Sequence, residues 1–222
     1  MSRFVAIGLF AEGTSDFRFL LTLLAREASD IIAHFGTQAV VLSEPPVLPL
    51  DGRTTEQRTK VACDNRTNVD IFAVHADASR TGRDTVERLV VFDLRESTAE
   101  NCGLAAERIV GLLPAREMEA WALCDADAIA QACGLEAWPS SRGFPWGDTP
   151  IERIEDPKRA LDDAVAALTK RRRGRRSIAA AAYLDRIGET ARLERLRRLD
   201  SYRAFASDLR DAFDSLGLLR AE

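Results

Sequence analysis

The stretch Arg3-Phe4-Val5-Ala6-Ile7-Gly8-Leu9-Phe10, followed at once by Ala11-Glu12-Gly13-Thr14-Ser15-Asp16, decides the fold class. Eight mostly apolar residues without strict alternation are the pattern of a central strand covered on both faces. A Gly turn with small polar residues then suits a helix start. Phe17, Leu20, Leu21, Leu24 and Ala28 share one apolar face, so the spacing predicts a helix to about Ser29. The unit reads strand, tight turn, helix.

Outward from it the same alternation recurs. Gln38–Ser43 predicts a second strand, and the Pro-rich stretch Glu44–Leu50 is expected to be irregular because Pro removes a ladder donor. A polar helix is expected at Thr55–Asn65, and Val69–His75 reads as a third strand. Arg83–Arg95 fits helix and strand equally. Glu107–Leu113 reads as a fourth strand stopped by Pro114, followed by helical segments Ala115–Leu123 and Ala126–Cys133, with Asp125 as cap and Gly134 as terminator. Residues 135–155 read as an irregular connecting loop. Asp156-Pro157 is a strong helix start with Ala160, Leu161, Ala164, Val165 and Leu168 as its buried face, and helices at Ser177–Ile187, Glu189–Arg198 and Tyr202–Leu216 close the chain. The expected architecture is α/β, a mainly parallel sheet flanked by helices over residues 1–134, with a helical C-terminal extension, 156–222, packed on it.

Composition bounds the rest. The 222 residues, 46% hydrophobic and 30% charged, exclude collagen-like and mostly disordered chains. No apolar run is long enough to span a bilayer, and the Met1-Ser2-Arg3-Phe4 start has no signal-peptide layout, so a cytoplasmic protein with no membrane contact is expected. Cys63, Cys102, Cys124 and Cys133 form no Cys-x-x-Cys pair and are expected as reduced thiols; His34 and His75 complete no zinc pattern. The net charge of −4 divides unevenly: residues 1–156 carry 15 basic and 25 acidic side chains, residues 157–222 carry 16 basic and 10 acidic. Lys170, Arg171, Arg172, Arg173, Arg175 and Arg176 crowd into one seven-residue run. That run is a solvated loop or a phosphate-binding segment; aromatic partners near it are few, so duplex backbone is the partner it suits, with Arg192, Arg195, Arg197 and Arg198 extending the face.

In a parallel sheet the loops leaving the carboxyl ends of the strands share one edge. Three of these loops carry acids: Glu12 after the first strand, Asp77 after the third, Glu117 and Glu119 after the fourth. Carboxylates gathered there repel unless a cation offsets them, and hard oxygen donors select Mg²⁺ or Mn²⁺. Each also has a plainer role: Glu12 in a turn, Asp77 capping its own loop, and one of Glu117 and Glu119 as a first-turn acid, since a helix points them about 200° apart.

These residues carry a resemblance. Glu12-Gly13-Thr14-Ser15-Asp16 resembles the opening motif of TOPRIM-like domains, and Val74-His75-Ala76-Asp77-Ala78-Ser79 resembles their Asp-x-Asp motif, with Ser79 where the second Asp stands. Glu117-Met118-Glu119-Ala120-Trp121-Ala122-Leu123-Cys124-Asp125, Asp156-Pro157-Lys158 and Ser201-Tyr202-Arg203-Ala204-Phe205 are similar to later motifs of a TOPRIM-like family of bacterial proteins. The resemblance implies a Rossmann-like TOPRIM fold and a nuclease that hydrolyses phosphodiesters of DNA or RNA with one or two Mg²⁺ or Mn²⁺ ions, in bacterial defence or nucleic-acid maintenance. Glu12 would be general base or metal ligand, Asp77 the principal ligand and Glu119 a further one, with Ser79 adding a neutral oxygen. Asp16, His75 and Glu117 are secondary candidates, His75 equally a packed residue. Lys158 would offset charge on the reacting phosphorus or lie at the surface. The alternative is a non-catalytic partner subunit that binds an ATPase or nucleic acid. No Gly-x-Gly-x-x-Gly or P-loop pattern is present.

Overall fold

The computed structural model describes residues 3–78, 82–169 and 179–220. The first strand, β1 (Arg3–Phe10), leads into α1 (Thr14–Phe35), β2 (Val40–Leu50), α2 (Thr55–Asn65) and β3 (Ile71–His75). Then come α3 (Arg83–Val86), a π-helical stretch Glu87–Phe92, α4 (Asp93–Cys102) and β4 (Ile109–Leu112). The elements that follow among the described residues are all helical, among them α5 (Glu119–Leu123), α6 (Ala126–Ala132), α7 (Pro157–Thr169), α8 (Leu184–Thr190), α9 (Leu193–Leu196) and α10 (Asp200–Ser215). The strands form one four-stranded sheet in the order β2-β1-β3-β4, every pair parallel. This is an α/β arrangement of Rossmann-like type.

Alternation along the strands sends side chains to two cores. Val5, Ile7, Leu9, Ala73, Val110 and Leu112 face a larger core with α1, α5 and α6 and with residues of α7, α8 and α10. Phe10, Phe72, Val74 and Ile109 face a smaller one closed by Ala62 of α2, Val91, and Leu94 of α4. Both faces being covered explains why β1 reads as a continuous apolar run. The C-terminal helices help build the larger core: Trp121 stacks on Phe205 at 5.8 Å between ring centroids and meets Tyr202 edge-on at 5.0 Å.

Three expectations are corrected and one open reading is resolved. The first helix continues past Ser29 to Phe35, carrying Ile31 into the core. Glu44–Leu50 is regular strand: β2 lies at the sheet edge and pairs only with β1, so its prolines interrupt one ladder, and a register break between Val5 and Ile7 absorbs Ser43–Pro46. Arg83–Arg95 is helical throughout, including the π-helical stretch. Cys63 of α2 and Cys102 of α4 are joined as a disulfide, their Cα atoms 5.7 Å apart, and only Cys124 and Cys133 are free thiols. Spacing in the chain could not show this, because the two helices meet only through the tertiary fold. Among the described residues no helix is long and apolar enough to cross a membrane.

Candidate functional site

The chain enters β1, moves to β2 on one side, then returns to β3 on the other. Between β1 and β3 the direction of winding switches, and ligands of such sheets bind at the carboxyl ends flanking that point. Phe10 of β1 pairs with Val74 of β3, and His75 pairs with Leu112 of β4, so the three acid-bearing loops leave adjacent strands at one level. Glu12 lies two residues beyond β1 and Asp77 two beyond β3, on either side of the switch.

Local structure fixes each side chain. Asp16 reaches back one turn, its Oδ2 accepting the Gly13 N–H at 2.8 Å, so it caps α1. Asp77 is tied through a single oxygen: Oδ1 accepts the Met118 N–H at 3.1 Å and lies 3.4 Å from His75 Nε2, while its side chain stays 44% exposed. His75 is buried and its Nδ1 donates to the Leu112 carbonyl at 2.9 Å. Burial alone would lower its pKa, yet Asp77, the Leu112 carbonyl and the charge of Asp16 outweigh burial and raise it above the ordinary value. Nδ1 faces the Leu112 carbonyl and Nε2 faces Asp77, so both ring nitrogens are engaged and the ring orients Asp77.

The helix angle that would separate Glu117 from Glu119 does not apply, because α5 starts only at Glu119 and Glu117 belongs to the loop before it. Glu117 Oε2 accepts the backbone N–H of Lys158 at 3.4 Å. Burial, then the charges of Glu117 and Asp77, raise the pKa of Glu119 above the usual carboxylate value, against its own backbone hydrogen bond and Lys158. Asp77, Glu117, Glu119 and Lys158 therefore share one electrostatic environment. Ser79 and the basic run Lys170, Arg171, Arg172, Arg173, Arg175 and Arg176 lie outside the described residues.

Glu12 is exposed, and its neighbour is a cation that the sequence reading missed. Arg58 of α2 is 4% exposed, Nη2 lies 3.8 Å from Glu12 Oε1, and Nε donates to the Gly52 carbonyl at 3.0 Å. Nη2 is buried without a hydrogen-bond partner. Burial lowers the Arg58 pKa and Glu12 opposes that shift. The only sequence signal was the Thr54/Gln57 capping box that starts α2 and so fixes where Arg58 sits.

The suggested extension of the basic face is corrected. Arg192 and Arg195 pair with Asp125 and Asp127, and Arg197 pairs with Glu27 and Asp30. These three arginines bind the acidic body and are not free for phosphate.

The donor set suits a hard divalent cation in chemistry, being carboxylate oxygens, and Asp77 Oδ2 accepts no hydrogen bond among the described residues. Among the described residues, however, no three His, Cys, Asp or Glu side chains converge closely enough to enclose an ion. Comparison with protein-family models, with curated proteins and with solved structures finds no match to this chain.

Proposed function

We propose that the protein is a TOPRIM-like, divalent-metal-dependent nuclease acting on DNA or RNA. The observation that carries this reading is the arrival of Glu12, Asp77, Glu117 and Glu119 in the loops after three adjacent strand ends flanking the switch point, where burial first and then the charges of Glu117 and Asp77 raise the pKa of Glu119. Asp77, Glu119 and Glu12 would hold Mg²⁺ or Mn²⁺, which when bound supplies Lewis-acid activation of water and offsets the phosphate charge. His75 and the Met118 N–H orient Asp77 so that its second oxygen remains available. In hydrolysis water attacks phosphorus, the phosphorus–oxygen bond to the leaving nucleotide breaks, and the water proton passes to a base; Glu12, exposed and 3.8 Å from Arg58, would be that base where it does not itself ligate the ion. Lys158 contributes positive charge beside Glu117 and Glu119. The Lys170–Arg176 run supplies duplex-backbone contacts; six of them would give a salt slope of about −5.

The test is incubation of the purified protein with plasmid, linear and single-stranded substrates in Mg²⁺ or Mn²⁺. Glu12→Ala and Asp77→Ala are each expected to lower cleavage by about 100-fold or more, in line with loss of a group acting in the transition state. Cleavage that survives both substitutions overturns the assignment. A second reading is favoured by one observation: Glu12 and Asp77 already lie beside basic side chains of the chain itself, Arg58 at 3.8 Å and His75 at 3.4 Å. On that reading the chain is a non-catalytic subunit that binds an ATPase or nucleic acid, and absence of cleavage on every substrate, with or without a partner ATPase, selects it.

A further inference from the structure

The loop between α6 and α7 holds an aromatic stack outside the sheet. Phe144 and Trp146 lie with ring centroids 5.1 Å apart and planes 6° from parallel, and Trp138 meets Trp146 at 6.1 Å. Phe144 is 46% exposed. Trp146 also lines a cleft of about 430 Å³ that it shares with Arg153, Glu155, Asp156, Arg159 and Asp163. A volume of that size is within the range of small-ligand sites.

The cleft adjoins the acidic edge through the first turn of α7. Asp156 caps that turn by accepting the Arg159 N–H at 2.8 Å, while the intervening Lys158 meets Glu117 through its backbone and Glu119 through its charge. The cleft and Glu117 therefore meet the same turn of α7.

We infer that this cleft is a subsite for an unstacked nucleobase, so that the nucleic acid presented to the acidic edge is single-stranded at that point. The inference rests on the nuclease reading for the substrate's class. An indole backed by a second ring is a pre-ordered stacking platform that accepts any base. With three acids against two arginines, the lining carries one net negative charge and does not suit a tract of duplex phosphates. Carboxylates at its rim accept hydrogen bonds from the exocyclic amino groups that unpaired bases expose, and Arg153, with Arg159 at 3.9 Å from Asp163 in an exposed pair that a phosphate can compete for, supplies the positive charge for the one or two phosphates that accompany a base.

The test is anisotropy titration of a labelled 12-nucleotide single strand and of the blunt duplex of the same sequence. It is run in EDTA, so that loss of metal-dependent cleavage, scored separately, does not touch it. Trp146→Ala is expected to weaken single-strand binding about tenfold, the scale of one lost base stack, and to leave duplex binding unchanged. Trp146→Phe, which keeps a ring, is expected to stay within about threefold of the parent, which separates stacking from misfolding. Competition by a mononucleotide alone, with no binding of the strand, would assign the cleft to free nucleotides and overturn the single-strand inference. It is also overturned if Trp146→Ala alters neither titration or both equally, or if no oligonucleotide binds, the result expected of a protein-docking loop.

Discussion

At the scale of single residues, Asp125 shows how one side chain serves several partners. Its Oδ1 caps α6 by accepting from Asp127 and Ala128, and its two oxygens receive the guanidinium of Arg192, at 2.8 and 2.7 Å, and Arg195 at 3.1 Å. Burial alone would raise its pKa, but the Arg192 hydrogen bonds and the charges of both arginines carry it below the ordinary 3.8. A depressed carboxyl stabilises the fold above its unfolded pKa, and that contribution fades as pH falls through the native value. Asp125→Ala is expected to cost about 1–2 kcal/mol at neutral pH, because it removes the cap and the buried half of the arginine fork while leaving Arg192 and Arg195 only Asp127. The difference should shrink below pH 3.8, as measured by urea unfolding at several pH values; a gap constant across that range would mean the carboxylate's charge contributes nothing. The cap was legible in the sequence, since an Asp before an Ala-rich run is a recognisable start. The arginine fork was not, because nothing in local spacing brings residue 192 to residue 125, and the buried Arg58 beside Glu12 escaped for the same reason.

At the scale of elements, legibility followed how local the determining physics is. Strands covered on both faces and capped helices announce themselves, which is why β1, α2, β3 and α7 fall where the pattern puts them. The prolines of β2 misled because their cost depends on whether a strand is central or at the edge, and sheet order is a tertiary fact. The bond from Cys63 to Cys102 is of the same kind: it clamps α2 to α4 beside the Thr59–Ser97 hydrogen bond of 2.9 Å, across a sequence separation of 39 residues. Closing a loop of that length is worth about 2–4 kcal/mol through the entropy of the unfolded chain. The double variant Cys63→Ser/Cys102→Ser, and equally the parent under reductant, should melt at a lower temperature than the oxidised protein. Thiol titration of the unreduced, denatured chain should find the two thiols of Cys124 and Cys133; four would refute the pairing.

For the whole molecule, the uneven charge takes on a different meaning once the ion pairs are placed. The excess of basic residues after 156 is not simply a tail waiting for phosphate: Arg192, Arg195 and Arg197 are spent on acids of the body, and Arg95 meets Asp208 at 3.5 Å in the reverse sense. Apolar contacts run the same way. Trp121 donates its indole N–H to Ser201 at 2.8 Å while stacking on Phe205, and Tyr202 donates its hydroxyl to buried Glu27 at 3.0 Å. Without the segment from 157 onward, Trp121, Phe19 and Leu23 would lose part of their cover, and Glu27 would lose both Arg197 and Tyr202. Each large apolar side chain returned to water costs about 1.5–3 kcal/mol, so a few of them amount to a large share of the 5–15 kcal/mol that holds a typical domain together. A fragment of residues 1–156 should therefore lack fixed tertiary structure, with no near-ultraviolet circular dichroism and no cooperative melt, and should regain both when residues 157–222 are supplied as a second chain. A cooperative melt of the fragment alone would show instead that the sheet and its first helices stand without the C-terminal helices, and would leave the acidic edge, whose Glu117 leans on Lys158 of α7, the only feature that needs them.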